Sequence, residues 1–367
     1  MLLVFEIFVG AAVIQLLYYS LVFGRLAFGK ERHYEPDCYP PVSIVICAKD
    51  EAENLKTNLK VVLIQNYPVF EVIIVNDQST DHTLDVLAEY FQRNDNLRLF
   101  NIKEGPKPIA GKKFALKTGV ENAKYDIVVV TDADCKPTSA HWLEHLIGGY
   151  MSDTDFVLGY APIYRGASFL NKLIRYENVM TAMLYFSFAR VGMPYMGVGR
   201  NMAFRKSAFM NWNSYKDSKE LPSGDDDLFV NALANKKNTT TSLHRDSFVY
   251  SPAKDTWAAW IHQKIRHSGS GRYYKFKHLL MLSLFPLSTL LLYTTFLVLC
   301  IKSFILPVVL IVCAFVLFVK YLIHRKVNTK LQQADLSSWI FLLDPMHVIF
   351  LFCIFILSLT SSNKAWK

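Results

Sequence analysis

The stretch IVVVTDADCKP, residues 127–137, contains the strongest indication of the fold in this chain. Its first four residues are apolar and β-branched, which is typical of a strand that is buried on both faces. Charged side chains are costly in such surroundings unless they are paired or bind a metal ion. We therefore expect Asp132 and Asp134, which are separated by one alanine, to lie just past the end of the strand.

Both ends of the chain are strongly apolar. Of the 367 residues, 52% are hydrophobic, and residues 1–23 form an apolar run that is followed by Arg25, Lys30 and Arg32. This run lacks the basic start and the small-residue cleavage site of a signal peptide, so we interpret it as an uncleaved membrane anchor. Three more apolar runs approach the ~20 residues that a bilayer requires. They cover residues 279–300, 304–321 and 340–359.

These runs predict a chain with three parts. Residues 1–24 are expected to form a transmembrane anchor, residues 25–278 a domain outside the bilayer, and residues 279–367 about three transmembrane helices. Buried helices of a soluble protein are the alternative, which three such runs in succession disfavour. Lys and Arg flank the runs mainly on the side of residues 25–278, so the positive-inside rule predicts that this part is cytoplasmic at a bacterial-type cell membrane.

The charge balance does not indicate a nucleic-acid partner. The net charge is +9, but the basic residues lie mainly beside the apolar runs, where anionic lipid headgroups are the expected neighbours. The sequence has neither interleaved basic and aromatic residues nor the spacing of a DNA-binding motif, so we expect no nucleic acid. The six cysteines are scattered, without the paired spacing of a metal or redox site.

The middle part alternates between strand and helix patterns. Strands are predicted at 42–47, 70–75, 97–101 and 127–130, and helices at 51–64, 81–93 and 112–123. Ser79 or Thr80 is the expected cap of the second helix. The alternation is typical of a mostly parallel sheet covered by helices, in which ligands bind beyond the carboxyl ends of the strands.

Acidic residues follow three of the predicted strands. They lie in AKDE (48–51), NDQSTD (76–81) and DAD (132–134). Any one segment is explained by capping of the next helix, because Asp and Ser favour that position. Together they predict a site in which a divalent cation relieves the repulsion between carboxylates, and hard oxygen ligands suit Mg²⁺ or Mn²⁺.

Two lysines begin the predicted helix at 112–123. Lys112 and Lys113 lie in GKKFALKTG, residues 111–119, where the ammonium groups and the helix N-terminus both favour anions. A diphosphate is therefore an expected ligand, with the metal ion as its Lewis acid. A solvated basic turn is the alternative interpretation.

Seven motifs occur in an order that carries a family resemblance. They are SIVICAKDEAENL, VIIVNDQSTDHT, GKKFALKTG, VVVTDADCKP, GVGRNMAFRK, SGDDDLFVNAL and QKIRH. This series, over residues 41–272, resembles the membrane-embedded family 2 glycosyltransferases, relatives of cellulose, hyaluronan and chitin synthases. The resemblance implies a GT-A fold, which is a Rossmann-like α/β domain that binds a nucleotide sugar, together with transmembrane α-helices.

The resemblance also implies roles for individual residues. Ala48, Glu51 and Asp77 match positions that contact the nucleoside. Asp132 and Asp134 match the DxD pair, in which Asp134, with Asp132 beside it, holds Mg²⁺ or Mn²⁺. The implied donor is a nucleotide sugar, with UDP as the nucleotide that the family leads us to expect.

The segment SGDDDLFVNAL, residues 223–233, contains the candidate base. Inverting sugar transfer requires a carboxylate that takes a proton from the acceptor hydroxyl as its oxygen attacks the anomeric carbon. In the family this acid ends a short acidic motif at the start of a helix. Alignment on GDD gives Asp226, which we favour, and alignment on EDxDL gives Asp225. Asp227 is expected to cap the helix.

The segment QKIRH matches the QxxRW motif of the family except at its last position. The match at Gln263 and Arg266 implies contacts with the donor, and an arginine can hold a diphosphate bidentately. His267 stands where tryptophan is usual. This departure puts processive polymerisation in doubt and leaves sugar transfer intact.

Two further segments each have two interpretations. The glycines of GVGRNMAF, residues 197–204, allow the backbone close to a sugar or acceptor, or they form a structural turn. Residues 169–190 form an amphipathic segment, which is either a core helix or a helix in the membrane interface.

The combined expectation is an inverting, metal-dependent glycosyltransferase at the cytoplasmic face of the membrane, acting on a lipid or on a growing polysaccharide. The small number of C-terminal spans, three, favours a lipid or a short glycan as the acceptor. One alternative is a membrane phosphotransferase or phosphatase that uses the acidic pair, but the threonine of the DxDxT pattern is absent. Another is a transporter with a regulatory domain, which requires charges within the spans, and we expect almost none there.

Overall fold

The structure is a computed structural model that describes residues 1–30, 39–103, 105, 112–212, 224 and 226–360. The chain divides into two compact units, which we call the helical unit and the sheet unit. The described residues of the helical unit lie in 1–30, 165–191 and 255–360, and those of the sheet unit lie in 39–164 and 192–254. The three parts that the sequence predicts, with boundaries at 24 and 278, remain a prediction.

The strands of the described residues form one sheet of seven strands and one of two. The large sheet has the order β3-β2-β1-β4-β7-β6-β8, and β5 pairs with β9. β1, β2, β3 and β4 run parallel, whereas β7 is antiparallel to β4. The strands are β1 (Val42–Ala48), β2 (Phe70–Asn76), β3 (Leu97–Asn101), β4 (Ile127–Asp132), β5 (Lys136–Pro137), β6 (Phe156–Leu158), β7 (Met202–Arg205), β8 (Thr239–Thr241) and β9 (Val249–Tyr250).

Helices alternate with the parallel strands and also form most of the helical unit. A π-helical stretch, Tyr18–Phe23, joins the first two. The α-helices are α1 (Leu2–Leu17), α2 (Gly24–Phe28), α3 (Ala52–Leu63), α4 (Thr83–Phe91), α5 (Lys113–Glu121), α6 (Trp142–Ile147), α7 (Phe169–Arg190), α8 (Lys206–Met210), α9 (Asp227–Leu233), α10 (Trp257–Gly271), α11 (Phe276–Ile301), α12 (Leu306–Lys330) and α13 (Ile340–Thr360).

The predicted α/β architecture is confirmed, with one shift that matters for the site. β1 is buried along its whole length between β2 and β4. β4 is two residues longer than predicted, because Cys47 of β1 pairs with Asp132. Asp132 is therefore the last residue of the strand, and of the two predicted acids only Asp134 lies past it.

The predicted cap of α4 is wrong. The helix begins at Thr83 with His82 at the N-cap position, and His82 makes no side-chain capping bond. Ser79 and Thr80 are instead used across the loops: the Asp50 N–H donates to Ser79 Oγ at 2.9 Å, and the Thr80 N–H donates to Asp50 Oδ1 at 2.7 Å. The contact between two loops outcompetes the local cap.

α6 is anchored in the core of the sheet unit by a buried tryptophan. Trp142 is completely buried, and its Nε1–H donates to Asn201 Oδ1 at 3.0 Å. The Asn201 amide in turn donates to the carbonyls of Tyr160 and Ser247 at 2.7 and 2.8 Å. These bonds satisfy polar groups that burial would otherwise leave without partners, so the start of α6 is fixed against the sheet.

The helical unit contains the helices that were predicted to span a membrane. Four helices of the described chain are long and apolar enough to do so, with mean hydropathy between 2.0 and 2.7. One is N-terminal and three are C-terminal, as predicted, and the third is longer than its apolar run because the helix continues through a basic segment to Lys330. The candidate spans are Leu2–Phe28, Phe276–Ile301, Leu306–Lys330 and Ala334–Leu359.

α7 has the bounds that the sequence predicted. Its N-cap is Ser168, whose Oγ accepts from the Asn171 N–H at 3.0 Å. Most of its residues are buried, including the charged Arg175 and Glu177. The position of this helix at a membrane interface remains a prediction.

The expectation that the spans carry almost no charge is wrong. Lys320 of α12 and Asp344 of α13 are both buried and form an ion pair of 2.7 Å. Asp344 also accepts from the hydroxyls of Tyr176, at 3.1 Å, and Tyr293. The Tyr176 ring stacks on His324 with 5.8 Å between ring centres. We call these five residues the span cluster; mutual neutralisation makes their burial possible.

Candidate active site

The register of the parallel strands brings the predicted nucleoside contacts together. Ala48 pairs with Asn76, and the Asp77 N–H donates to the Ala48 carbonyl at 2.7 Å. Because Cys47 of the same strand pairs with Asp132, the ends of β1, β2 and β4 form one edge. Ala48, Asp77 and Asp132 thus lie on the edge where ligands of such sheets bind.

Two of the acidic residues at this edge hold loops together. Asp50, which has a φ of 55°, binds the loop after β2 through Thr80. The Asp81 carboxylate accepts from the N–H groups of Ala52 and Thr83 at 3.1 and 3.0 Å. Bonding at a helix start, the alternative weighed for each acidic segment, is therefore seen for Asp81, whereas Asp50 joins two loops.

Glu51 lies at the N-cap position of α3, in the segment that follows β1. It makes no capping bond, and its Oε2 accepts from Asn54 Nδ2 at 2.5 Å. Asp77 is completely buried. The structure thus places Ala48 and Asp77 in contact, and the contacts of Ala48, Glu51 and Asp77 with a nucleoside remain a prediction.

Asp132 and Asp134 converge. One ligand atom from each of Asp132, Asp134 and Cys135 lies within 4.8 Å of the others. Burial and the neighbouring charge of Asp132 raise the pKa of Asp134, and Arg200 and Lys112 offset part of that rise. The pair therefore retains repulsion that a bound cation would remove.

The donor set fits a hard metal ion. The Cys135 thiol donates to Asp134 Oδ1 at 3.3 Å, and burial followed by the nearby carboxylates raises its pKa well above the usual range. The thiol is therefore protonated at neutral pH and is not available as a thiolate ligand. Two carboxylates remain as donors, which suits Mg²⁺ or Mn²⁺ rather than a soft metal.

The two predicted phosphate-binding lysines differ. Lys112, at the N-cap position of α5, forms an ion pair with Asp132, and its side chain is partly exposed. Lys113 is almost completely buried. Only Lys112 is thus seen at the carboxylate pair, and a role for Lys113 in phosphate binding remains a prediction.

Asp226 lies at the N-cap of α9, where we expected Asp227. Its Oδ1 accepts from the Asp227 N–H at 2.9 Å, and its Oδ2 accepts from the Gly199 N–H at 2.6 Å. Asp227 is the first helical residue, and its carboxylate accepts from the Leu228 N–H instead. The alternative base, Asp225, lies outside the described residues.

Gly199 explains how the carboxylate of Asp226 reaches the backbone. A Cβ at residue 199 would lie 3.2 Å from Asp226 Oδ2, closer than ordinary contact. Gly197 likewise leaves room for Met202, whose sulfur would lie 2.5 Å from an added Cβ. Both glycines therefore have a packing role, and the approach of this backbone to a sugar remains a prediction.

Asp226 and Lys112 line the same cavity. The cavity is also lined by Cys47 of β1, Thr131 of β4 and Gly199. The Thr131 hydroxyl is buried there without a hydrogen-bond partner among the described residues. A candidate base, a cation and an unsatisfied hydroxyl thus share one recess.

Arg200 is a site residue that the sequence analysis did not identify. Its charge acts on Asp134, and its Nη1 donates to Ser251 Oγ at 2.6 Å. The motif GVGRNMAF contained it, but nothing in the sequence distinguished Arg200 as a neighbour of the DxD pair. The contact depends on how β7 follows β4 in the sheet.

Gln263 and Arg266 lie on α10, in the helical unit. α10 is held there by Trp260, whose ring stacks on Phe350 at 4.0 Å, and by an ion pair of 2.5 Å between Lys264 and Glu177. The predicted contacts of Gln263 and Arg266 with a donor remain a prediction.

Comparison with known proteins identifies a family domain within the chain. Residues 43–212 match the family Glycosyl transferase family 2. The chain is 25% identical over 263 residues to the probable glycosyltransferase YdaM of Bacillus subtilis (strain 168). This match covers 65% of this chain and 57% of YdaM. It is 30% identical over 122 residues to a poly-beta-1,6-N-acetyl-D-glucosamine synthase of Staphylococcus epidermidis, with 32% of this chain and 28% of the synthase covered. The chain thus spans less than two thirds of the length of either relative.

A solved structure shares the fold over most of the chain. It is the mannosyltransferase PcManGT from Pyrobaculum calidifontis in complex with GDP-Man and Mn²⁺. The TM-score is 0.58 at 18% sequence identity, and the match covers 92% of this chain and 97% of that one. This confirms the predicted fold class. Residues 43–212 form a Glycosyl transferase family 2 domain.

Proposed function

We propose that the protein is an inverting, metal-dependent glycosyltransferase that moves a sugar from a nucleotide-diphosphate donor to a lipid or glycan acceptor at the cytoplasmic face of the membrane. The observation that carries this proposal is the convergence of Asp132 and Asp134, with Lys112 in contact with Asp132 and lining the cavity of Asp226. Such an arrangement suits a substrate that is anionic at one end and carries the reacting carbon at the other.

The donor end is assigned to the edge of the sheet. Ala48, Glu51 and Asp77 bind the nucleoside, and Lys112 binds the diphosphate. A divalent ion held by Asp134 and Asp132 would supply charge neutralisation of the leaving diphosphate when bound. The Mn²⁺ and GDP-Man of the similar mannosyltransferase support this assignment. We retain UDP as the expected nucleotide and include GDP donors in the test.

Asp226 is assigned the role of general base. It takes the proton of the acceptor hydroxyl while that oxygen bonds to the anomeric carbon and the bond from this carbon to the diphosphate oxygen breaks. The backbone N–H groups of Gly199 and Asp227 hold the carboxylate in one orientation, which supports this role because proton transfer requires fixed geometry.

The acceptor is assigned to the membrane. Four helices of membrane-spanning length support a lipid-linked acceptor, and the poly-beta-1,6-N-acetyl-D-glucosamine synthase relative supports a glycan. The cytoplasmic orientation rests on the basic residues that flank the spans on one side. Labelling of cysteines introduced at Lys302 and at Lys254 in intact cells tests it: a reagent that cannot cross the membrane should label only the first.

The activity is tested with the full chain purified in detergent. Nucleoside diphosphate release is measured for a panel of UDP- and GDP-sugars with Mn²⁺ or Mg²⁺, with and without a lipid extract. We expect one donor to give metal-dependent release that rises with the extract and is lost in Asp134→Ala. The proposal would be contradicted if none of the donors gave nucleoside diphosphate release, or if Asp134→Ala left the release unchanged.

A further inference from the structure

A second group of metal-ligand side chains lies in the sheet unit. His145 lies in α6, and His244 and Asp246 lie in the turn that precedes β9. The two imidazole rings are stacked, with 3.7 Å between their centres and 27° between their planes. Asp246 Oδ2 is 3.9 Å from His145 Nε2 and 3.8 Å from His244 Nδ1. None of these residues belongs to the candidate active site.

These distances are informative because they are too long for hydrogen bonds, which join nitrogen and oxygen at about 2.7 to 3.2 Å. They are close to the separation between two ligands of one tetrahedral zinc ion, which is roughly 3.4 Å for bonds of about 2.1 Å. The two distances to Asp246 thus exceed the separation between ligands of one bound ion by about half an ångström. One ligand atom from each residue already lies within 4.8 Å of the others.

Hydrogen bonds to the backbone hold the two halves of this group in place. Ser242 Oγ donates to the His145 carbonyl at 2.8 Å, and Ser247 Oγ donates to the His244 carbonyl at 2.7 Å. The two serine hydroxyls are themselves 2.9 Å apart and buried. α6 and the 244–247 turn are therefore cross-linked beneath the three side chains, which is the kind of support that fixes metal ligands.

One existing contact of the proposed ligand nitrogen of His244 is weak. His244 Nδ1 accepts from the Asp246 N–H at 3.3 Å, a weak contact that a bound ion would replace. His141 and Glu144, nearby on the chain, are bonded to each other at 2.7 Å.

We propose that His145, His244 and Asp246 bind one Zn²⁺ ion, with water at the remaining position. Two imidazoles and one carboxylate are a donor set for Zn²⁺ and differ in kind from the two carboxylates of Asp132 and Asp134. The ion joins α6 to the turn before β9, and β9 pairs with β5, which follows Asp134 directly. Its role is to stabilise this segment, and it does not depend on the proposed sugar transfer.

The test uses the untagged full chain in detergent, treated with a chelator and then dialysed into buffer with excess Mg²⁺. Zn²⁺ is titrated by calorimetry, and Co²⁺ is titrated by its visible absorption, which reports tetrahedral nitrogen ligands. We expect one ion per chain and a rise in the unfolding temperature with Zn²⁺. Asp246→Asn, which preserves the size of the side chain, and His244→Ala should each weaken binding by about 100-fold.

Two controls make the outcome decisive. His82→Ala removes an exposed histidine that is 3.0 Å from Asp85, and it should leave the affinity unchanged. Asp134→Ala should also retain the site, which separates it from the carboxylate pair. Absence of Zn²⁺ binding by the stripped wild type, or wild-type affinity in a folded Asp246→Asn protein, would overturn the proposal.

Discussion

An aspartate contacts a lysine in each unit, and the two pairs differ in what surrounds the carboxylate. Asp344, in the span cluster, is 3% exposed and accepts from Lys320 and from two tyrosine hydroxyls. The side chain of Asp132, at the edge of the sheet, is 31% exposed and contacts Lys112. Its other charged neighbour is a second carboxylate.

This difference separates an acid that maintains structure from one that is ready for a ligand. Every oxygen of Asp344 is used by donors of the protein itself, so the pair adds no net charge to the span region. At the sheet edge, Asp132 and Asp134 repel each other, and Lys112 and Arg200 offset only part of this repulsion. A carboxylate pair of this kind is expected to lose function, and not stability, when it is neutralised.

The largest expected effect is therefore that of Asp134→Ala on sugar transfer. Removing this carboxylate should lower the rate of nucleoside diphosphate release by about 10³-fold, because the developing charge of the leaving group loses its compensation. The unfolding temperature without metal should be unchanged or higher, because a repulsive contact is lost. Steady-state rates and thermal unfolding are measured on the same preparation.

Asp85→Ala is the matched control for that variant. It removes an exposed aspartate of the sheet unit whose partner is His82. It should change neither the rate nor the unfolding temperature. If Asp134→Ala instead destabilises the protein and keeps most of its activity, the carboxylate pair has the structural role here assigned to Asp344.

The second effect is on stability and belongs to the span cluster. Lys320→Met leaves the buried Asp344 without its cation, which should cost about 3 kcal/mol of unfolding free energy. The double variant Lys320→Met, Asp344→Leu removes both charges and should recover most of that loss. Unfolding in a mild detergent by a denaturant measures both proteins.

The rate of sugar transfer provides the check on this second prediction. In the folded fraction of either protein, the rate per molecule should stay close to that of the wild type, since the span cluster is assigned no catalytic role. A double variant that is as unstable as the single one would show that the charges themselves, and not their pairing, maintain the helical unit.

The edge of the sheet was predictable from the sequence because it depends on local signals. Three of the parallel strands end where an acidic segment begins, and parallel strands deliver their ends to one side, so Asp77 and Asp132 had to lie on the same edge. The place of Asp134 past the strand followed from the same pattern. Arg200 was missed because its proximity to Asp134 depends on the antiparallel return of β7.

The span cluster was not predictable, because hydropathy averages over a helix and hides single charges. Lys320 lies at the end of one apolar run and Asp344 near the start of another, and nothing local indicates that they face each other. The metal-ligand group of His145 and His244 was missed for the same reason. Its residues are far apart in the chain and meet only through the fold.

Asp226→Asn sharpens the comparison because Asp226 combines features of both pairs. Like Asp344 it is held by donors of the protein, but it lies in a cavity beside Lys112. Because Asp226 is assigned the role of base, its replacement by asparagine should lower kcat by about 10²-fold with little change in the KM of the donor. Asn retains an oxygen for the cap, so the unfolding temperature should change little.

Asp227→Asn is the control for the base, because Asp227 is adjacent, buried and bonded to the backbone. It should leave kcat within a few-fold of the wild type. Full activity in Asp226→Asn together with a large loss in Asp225→Asn would move the base to the other alignment that the sequence allows.

The smallest expected effect is on the pH dependence of stability. It concerns the ion pair between Glu177 of α7 and Lys264 of α10. Burial alone would raise the pKa of Glu177, but the charge and hydrogen bond of Lys264, with His347 and Thr181, hold it below the usual value. Stability from this pair is therefore present above the ordinary pKa of a glutamate, about 4.3, and is lost as the pH falls through the lowered pKa.

Glu177→Gln should thus cost about 2 kcal/mol at pH 7 and almost nothing well below pH 4, as measured by denaturant unfolding at both values. Glu53→Gln, at an exposed pair with Lys56, should have no effect at either pH. Because Lys264 lies beside Gln263, a rise in the KM of the donor in Glu177→Gln would support the predicted role of this helix in donor binding. A cost that does not change with pH would mean that Glu177 acts through packing, and the contrast between satisfied and unsatisfied carboxylates would not extend to α10.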